Sequence, residues 1–302
     1  MEAVLRVARA RALALEEGLV RKHEFAKDDR VTIDDGSFCI GVFRVESENV
    51  AIKVMKEFKK CKDEWKLLSR LDHPNVIRCI GEPVFDLATP FFRMELINGS
   101  NLLNILLQRT VDQIEVLSAL ATRHVLLGVA RALEYLHDCG IVHRDVKPEN
   151  VLLNVRAPDQ IDDSTAVKLC DFNLSHRMSA RAPHHGGSSS CISPEVHRHG
   201  QSIGPETDVF GFGTLSYAIV TGWMTFTDEM LENYRKNWKL IRKRIASYIG
   251  FTVQPELRRL TMECLSWDAM DRPSARNLVD SVYFVRRSPG IRKARPADKQ
   301  KI

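Results

Sequence analysis

Apolar and polar positions in the first third of the chain follow the alternation and the short apolar runs that are typical of β-strands. Residues 31–45 and 50–54 predict strands of a small sheet, and residues 91–96 predict a further strand. Two more short strands are expected on either side of residues 158–165, a polar and acidic run that itself predicts a surface loop. Most of the predicted strand residues therefore lie before about residue 96.

Helical spacing of apolar residues appears in two places. Residues 64–71 have this spacing and lead into His73-Pro74-Asn75, where we expect the helix to stop. Residues 117–137 predict a longer helix that ends near Cys139-Gly140, because glycine commonly follows the last helical residue. Residues up to about 96 thus form the strand-rich part of the chain, one long helix is predicted after them, and the sequence contains no internal repeat.

The first 19 residues also have one apolar stripe at helical spacing. The stripe consists of Val4, Leu5, Ala8, Ala12 and Leu15. We expect residues 1–27 to form a helical extension that packs on the strand-rich part. A mitochondrial transit segment is the alternative, because such segments are amphipathic and rich in arginine. Glu2, Glu16 and Glu17 argue against it, since transit segments are poor in acidic residues.

Composition is that of a protein with a large core in a reducing compartment. The chain has 302 residues, of which 44% are hydrophobic, yet no apolar stretch is long enough to predict a membrane span. Its start has no secretory signal pattern. The seven cysteines are odd in number and include no Cys-x-x-Cys pair, so we expect free thiols and a cytoplasmic location.

The net charge of +5 is concentrated at one end of the chain. Residues 286–302 hold seven basic side chains and one acidic one, so this tail carries +6 and the remainder carries −1. The tail has few apolar residues and predicts a disordered, solvated segment. A nuclear-import signal or a patch for an acidic partner is the alternative. Nothing in the charge pattern favours sequence-specific binding of nucleic acid.

Two motifs bring together the residue types that phosphoryl transfer requires. They are His143-Arg144-Asp145-Val146-Lys147-Pro148-Glu149-Asn150 and Asp171-Phe172-Asn173. Asp145 and Lys147 are two residues apart, so an extended loop would project both toward the same side. Asn150 and Asp171 supply the oxygen ligands that Mg²⁺ prefers. Because phosphoryl transfer needs a carboxylate at the acceptor hydroxyl, a cation on the phosphate and bound Mg²⁺, these motifs predict that reaction.

The same motifs, with others in a fixed order, resemble the eukaryotic protein kinase family, serine/threonine type. The resemblance runs from about Arg30 to about Val285 and includes the serine/threonine-directed loop Lys147-Pro148-Glu149. The further matches are Val50-Ala51-Ile52-Lys53, Ser193-Pro194-Glu195, Asp208-Val209-Phe210-Gly211-Phe212-Gly213 and Arg272-Pro273-Ser274. Arg272 is the arginine that this resemblance pairs with Glu195.

The resemblance implies an α+β, bilobal kinase fold. Its N-lobe, residues 28–96, would hold a small, mostly antiparallel sheet and one main helix, and its C-lobe, residues 97–285, would be larger and mostly helical. The implied function is transfer of the γ-phosphoryl group from Mg-ATP to serine or threonine hydroxyls of protein substrates. We further expect a monomer without a membrane span.

The resemblance also implies a role for each site residue. Asp145 would orient the acceptor hydroxyl, Lys147 and Lys53 would balance phosphate charge, and Glu64, on the predicted helix, would hold Lys53. The Mg²⁺ ligands would be Asn150 and Asp171. The nucleotide would be bound by Asp34, Gly36, Ser37, Val42, Ala51, Lys53, Met94, Glu95, Ile97, Asn150, Leu152 and Asp171.

Two departures from the family pattern leave a second function open. The phosphate-covering loop, Asp34-Asp35-Gly36-Ser37-Phe38-Cys39, keeps only the middle one of three glycines, and its carboxylates would repel a triphosphate. Asn173 replaces the glycine after Asp171-Phe172, although asparagine tolerates left-handed backbone angles well. The alternative to an active enzyme is therefore a pseudokinase, a scaffold that binds partners through the same fold.

Overall fold

The computed structural model describes most of the region that the motifs cover. The described residues are 30–32, 39–45, 49–85, 90–108, 117–178, 193–196, 203–222, 243, 247 and 254–285. The predicted extension at 1–27 and the basic tail at 286–302 lie outside them, as do Asp34, Gly36 and Ser37 of the phosphate-covering loop.

The strand-rich part forms a five-stranded antiparallel sheet with the order β1-β2-β3-β5-β4. The strands are β1 (Arg30–Thr32), β2 (Cys39–Val45), β3 (Val50–Met55), β4 (Cys79–Val84) and β5 (Phe91–Glu95). All six residues of β3 are buried, because this strand lies at the centre of the sheet between β2 and β5. The sequence predicted β3 and β5 to within one residue, but it did not predict β4.

One helix, α1 (Phe58–Leu68), packs beside this sheet. Its buried residues are Cys61, Glu64 and Leu68, which lie on one face of the helix and place a carboxylate among apolar neighbours. The helix begins six residues before the predicted run 64–71 and ends at Leu68, before the predicted stop at His73-Pro74-Asn75. The pattern missed the start because the first two turns are rich in lysine. Lysine favours helices but adds no apolar signal to the pattern.

The second part of the chain is mainly helical. The helices whose two ends fall among the described residues are α2 (Leu102–Leu106), α3 (Ala119–Asp138), α4 (Glu206–Thr221), α5 (Pro255–Cys264), α6 (Ala275–Val279) and α7 (Val282–Val285). The Ser118 hydroxyl caps the start of α3 by accepting a hydrogen bond from Ala121 N–H at 3.1 Å. As predicted, α3 is followed by Cys139 and Gly140, and Gly140 has the left-handed φ of +70°.

Two small sheets, whose strands lie between residues 100 and 177, carry the motif loops at their ends. One contains β6 (Ser100–Asn101), β8 (Val151–Leu153) and β9 (Val167–Leu169), and the other pairs β7 (Ile141–Val142) with β10 (His176–Arg177). The predicted surface loop at 158–165 connects β8 to β9. The loop between β7 and β8 contains Asp145, and the segment after β9 begins at Cys170-Asp171.

Helix α4 is buried and packs against the β7–β8 loop. Every residue from Thr207 to Ile219 is buried, so the helix is enclosed on all sides. Glycine is required at Gly211, because a Cβ there would lie 2.9 Å from the Cβ of Val146 in the β7–β8 loop. The helix axis can therefore approach that loop closely.

This architecture confirms the predicted α+β, bilobal fold, with a small antiparallel sheet and its helix preceding a larger helical lobe. Within the described part of the chain, none of the helices combines the length and apolar character that crossing a bilayer demands.

Candidate active site

Lys53 lies between two carboxylates that come from distant parts of the chain. Its Nζ is 2.8 Å from Glu64 Oε1 and 2.8 Å from Asp171 Oδ1. Lys53 is on β3, Glu64 is on α1, and Asp171 follows β9, so the contact joins the two lobes. The structure thus brings Lys53 and Asp171, which the resemblance assigned to nucleotide and metal binding, together with Glu64, which it assigned to holding Lys53.

The local sequence explains why Lys53 points inward. Alternate residues of a strand face opposite sides of a sheet, and in β3 the residues Val50, Ile52 and Val54 join one apolar cluster. Met55 belongs to the other cluster, which also contains Leu68 of α1. Lys53 shares the face of Met55 and is only 3% exposed, so its ammonium must find partners inside the protein.

Of the three groups Lys53, Glu64 and Asp171, electrostatic interactions favour the charged forms of Lys53 and Asp171. Burial disfavours the ammonium, but the charges of Asp171 and Glu64 outweigh it and raise the pKa of Lys53 well above its ordinary value. Burial likewise opposes the charge on Asp171, yet Lys53 lowers the pKa of that carboxyl. At Glu64 burial prevails and raises the pKa. Glu64 Oε2 is buried and finds no hydrogen-bond partner among the residues that the structure describes, which fits that direction.

The loop after β7 forms a second group of functional side chains around Asp145. Lys147 Nζ lies 2.9 Å from Asp145 Oδ2, so the two residues face the same side as their spacing predicts. Asn150 Nδ2 donates to the Asp145 carbonyl at 2.8 Å and to Asp145 Oδ2 at 2.9 Å. Asp145 and Asn150 are almost fully buried, so their geometry is held by the protein rather than by solvent.

Asp208 at the start of α4 fixes the backbone of this loop. Its two carboxylate oxygens accept hydrogen bonds from His143 N–H at 2.8 Å and Arg144 N–H at 2.6 Å. A third hydrogen bond of 2.8 Å joins it to His137 Nε2 on α3. Burial raises the pKa of Asp208, but two histidines outweigh it and lower the pKa. His137 acts through its hydrogen bond and charge, and His143 acts through its charge and its backbone N–H. Asp208 therefore holds Arg144 in its left-handed conformation, at a φ of +70°.

The segment Asp171-Phe172-Asn173 is tied to α1 and to the loop. Phe172 N–H donates to Glu64 Oε1 at 3.1 Å, and the Phe172 ring meets His143 edge-on with centroids 4.9 Å apart. The left-handed residue is Asp171, with a φ of +66°, whereas Asn173 has no positive φ. The tolerance of asparagine for left-handed angles is therefore not needed in this conformation.

The predicted adenine-contacting residues lie on both lobes. Ala51 of β3 pairs with Met94 of β5, and both are buried, as is Leu152 of β8 on the large lobe. Val42 is half-buried on β2, and Ile97 is half-buried just after β5. Glu95 N–H donates to the Arg78 carbonyl at 2.9 Å. The structure therefore brings these residues to the two sides of the segment that joins the lobes.

Comparison with known proteins identifies this arrangement. Residues 35–284 match the family model described as the protein kinase domain, which is more than half of the chain. The chain belongs to the protein kinase family. The kinase motifs, Lys53 to Arg272, all lie within the matched region.

Several curated protein kinases are similar to this kinase. Calcium/calmodulin-dependent protein kinase type II of Caenorhabditis elegans is 28% identical over 76% of this chain and 28% of its own length. Calcium/calmodulin-dependent protein kinase type IV of Mus musculus is 32% identical over 59% of this chain and 37% of its own. Serine/threonine protein kinase OSK3 of Oryza sativa is 28% identical over 88% and 52%. The chain thus spans about a quarter to a half of the length of these relatives.

Sequence reasoning missed two contacts around the kinase site. His137 was seen only as the end of a helix, and Lys168 only as part of a short strand. Spacing gives no signal for either, because their partners, Asp208 and Glu95, lie 71 and 73 positions away in the chain. The residue pair that the resemblance did predict, Glu195 and Arg272, lies at 2.7 Å.

Proposed function

We propose that this protein kinase is catalytically active and transfers the γ-phosphoryl group of Mg-ATP to serine or threonine hydroxyls of protein substrates. The observation that carries the proposal is Lys53, held 2.8 Å from both Glu64 and Asp171. Burying a lysine with two carboxylates costs desolvation free energy, and such a cost points to a functional role for the charge. In a kinase its use is to bind nucleotide phosphates.

The second group of residues supports the transfer step. Asp145 presents a carboxylate that would accept a hydrogen bond from the acceptor hydroxyl and receive its proton. Lys147, 2.9 Å from that carboxylate, would neutralise charge on the transferred group. Because Asn150 and Asp208 fix the loop through buried hydrogen bonds, little reorganisation would be needed when substrate binds.

Asn150 and Asp171 fit a Mg²⁺ ion that is completed by substrate. Asn150 turns its Nδ2 toward Asp145, which leaves its Oδ1 for a ligand. Asp171 uses Oδ1 for Lys53, and the hydrogen bonds of the described residues do not engage its Oδ2. Two hard oxygen atoms from protein suit Mg²⁺, which takes its other ligands from phosphates and water. When bound, the ion would supply positive charge between the phosphates.

The acceptor type is inferred from the loop and from the relatives. Lys147-Pro148-Glu149 is the serine/threonine-directed form of the loop, and Pro148 to Asn150 form one turn of 3₁₀ helix that presents Lys147 beside Asp145. The relatives that match most of this chain include one named as a serine/threonine protein kinase. Protein substrates of that type are therefore proposed, while the cytoplasmic location and monomeric state stay predictions.

The test is incorporation of labelled γ-phosphate from Mg-ATP into a generic basic protein. We expect incorporation by the wild-type protein and a loss of about 10³-fold or more in Asp145→Asn, whose amide cannot accept the proton. The control for folding is that both proteins bind Mg-ATP, measured as an increase in Tm when Mg-ATP is added. Equal incorporation by both proteins would overturn the catalytic proposal. Stabilisation by nucleotide without any incorporation by the wild type would favour the pseudokinase instead.

A further inference from the structure

An ion pair outside the catalytic group joins the two lobes. Lys168 of β9, in the large lobe, places its Nζ 2.7 Å from Glu95 Oε1 at the end of β5, in the small lobe. The two side chains are only 13% and 19% exposed. The pair of Arg259 and Glu263 on α5, by comparison, is 68% and 46% exposed. Lys168 and Glu95 are therefore shielded from solvent far more than an ordinary surface pair.

Both partners are also held by backbone groups. Glu95 Oε1 accepts a hydrogen bond from Arg78 N–H at 2.8 Å, and Glu95 N–H donates to the Arg78 carbonyl at 2.9 Å. Lys168 Nζ makes a second contact, 3.3 Å to the Val76 carbonyl. The ion pair thus ties together β5, β9 and residues 76–78 between α1 and β4.

The backbone beneath this pair is continuous with the metal-binding segment. Ile77 N–H donates to the Leu169 carbonyl at 2.9 Å, and Leu169 N–H donates to the Asn75 carbonyl at 2.8 Å. Leu169 is two residues before Asp171, and Glu95 directly follows Met94. The Lys168–Glu95 contact therefore connects the strand proposed to contact adenine with the strand that leads to the proposed Mg²⁺ ligand.

We propose that Lys168 and Glu95 are a positioning pair that fixes the adenine side of the site relative to Asp171. The proposal rests on the proposed function, since it concerns nucleotide binding at the same site. Neither side chain contacts Lys53, Asp145 or Asn150, so the pair acts through the backbones of β5 and β9. Without it, the two parts of the nucleotide site lose a direct link, and nucleotide must bind to a less ordered arrangement.

The test compares Lys168→Met and Glu95→Gln with the wild type. Methionine keeps the apolar stem of Lys168, and glutamine keeps the length of Glu95 and an oxygen that can accept from Arg78 N–H while removing the charge. For each variant we expect the KM for ATP to rise about 3–10-fold, and for Lys168→Met we expect kcat to change less than about twofold. The double variant should lose no more ATP affinity than the weaker-binding single variant, because each of the three variants lacks the same Lys168–Glu95 ion pair. Lys168→Arg should restore most of the affinity. Arg259→Met, which removes the exposed pair on α5, is the matched control.

A readout that needs neither nucleotide nor catalysis separates this proposal from the proposed function. Amide hydrogen exchange of the nucleotide-free protein should show reduced protection at Ile77 and Leu169 in Glu95→Gln, although the substitution lies on another strand. The proposal is overturned if both variants keep the wild-type KM and each changes exchange only beside its own position. If the wild type binds no nucleotide at all, the proposed function fails, and the exchange result alone then decides whether the pair positions β9.

Discussion

The buried ion pair between Arg272 and Glu195 allows a quantitative prediction about stability. Arg272 donates to the two Glu195 carboxylate oxygens at 2.7 and 2.8 Å, and its side chain is 0% exposed. It also donates to the carbonyls of Ser266, at 2.9 Å, and Glu206, at 2.9 Å. Its guanidinium carbon lies 4.9 Å from the centre of the Phe210 ring. One side chain thus connects residues 193–196 to α4 and to the segment after α5.

Arg272→Met removes the charge and the hydrogen bonds but keeps most of the side-chain length. The substitution leaves the Glu195 carboxylate buried without this cation, and it removes the Arg272 donors from the carbonyls of Ser266, Glu206 and Trp267. Breaking a buried ion pair from one side costs about 3–5 kcal/mol. For a protein of this size, 1 kcal/mol corresponds to about 2–4 °C in Tm, so we expect Tm to fall by about 10 °C.

Thermal unfolding of matched variants measures this effect. Arg259→Met removes an exposed arginine on α5 and should change Tm by less than about 2 °C. The double variant Glu195→Leu/Arg272→Met should be more stable than Arg272→Met, because no unpaired charge then remains inside the protein. A Tm loss below about 3 °C in Arg272→Met, or strictly additive losses in the double variant, would refute the reasoning.

Two further predictions concern activity and pH. Glu64→Gln should lower kcat/KM about 10–100-fold in steady-state assays, because Lys53 keeps only Asp171 as a charged partner, and a change below about twofold would count against that role. At Glu195 burial raises the pKa, but Arg272 outweighs it and lowers the pKa below its ordinary value. A carboxyl group whose pKa is lower in the folded protein stabilises the folded state at pH values above its unfolded pKa of about 4.3. This stabilisation is lost as the pH falls through the pKa of the folded state. Urea midpoints should therefore fall more steeply below about pH 4.3 in the wild type than in Glu195→Gln, and parallel curves would contradict this assignment.

Much of the fold could be predicted because its signals are local. The alternation in β3 and β5 and the apolar spacing in α3 arise from neighbours within a few positions, and Gly140 ends α3 as predicted. The start of α1 and the whole of β4 were missed. Lysine-rich helical turns have no apolar pattern, and β4 has glycine and proline at Gly81 and Pro83, which read as turn residues.

The candidate site was predicted residue by residue from motifs, but not its supporting contacts. Lys53, Asp145 and Asp171 could be named because their motifs keep a recognisable order along the chain. The hydrogen bond of His137 to Asp208 and the ion pair of Lys168 with Glu95 depend on how distant segments pack. No spacing rule reaches across 71 or 73 positions.

The sequence alone determined which chemical groups this kinase has and which secondary structure carries most of them, because both depend on residue identity and short-range spacing. Tertiary structure decided their protonation, orientation and linkage. The pKa of Lys53 is raised only because folding places Glu64 and Asp171 at 2.8 Å in a buried setting. Likewise, Asp171 rather than Asn173 takes the left-handed backbone angle. Charge interactions and burial act through space, so they become fixed only when the two lobes come together.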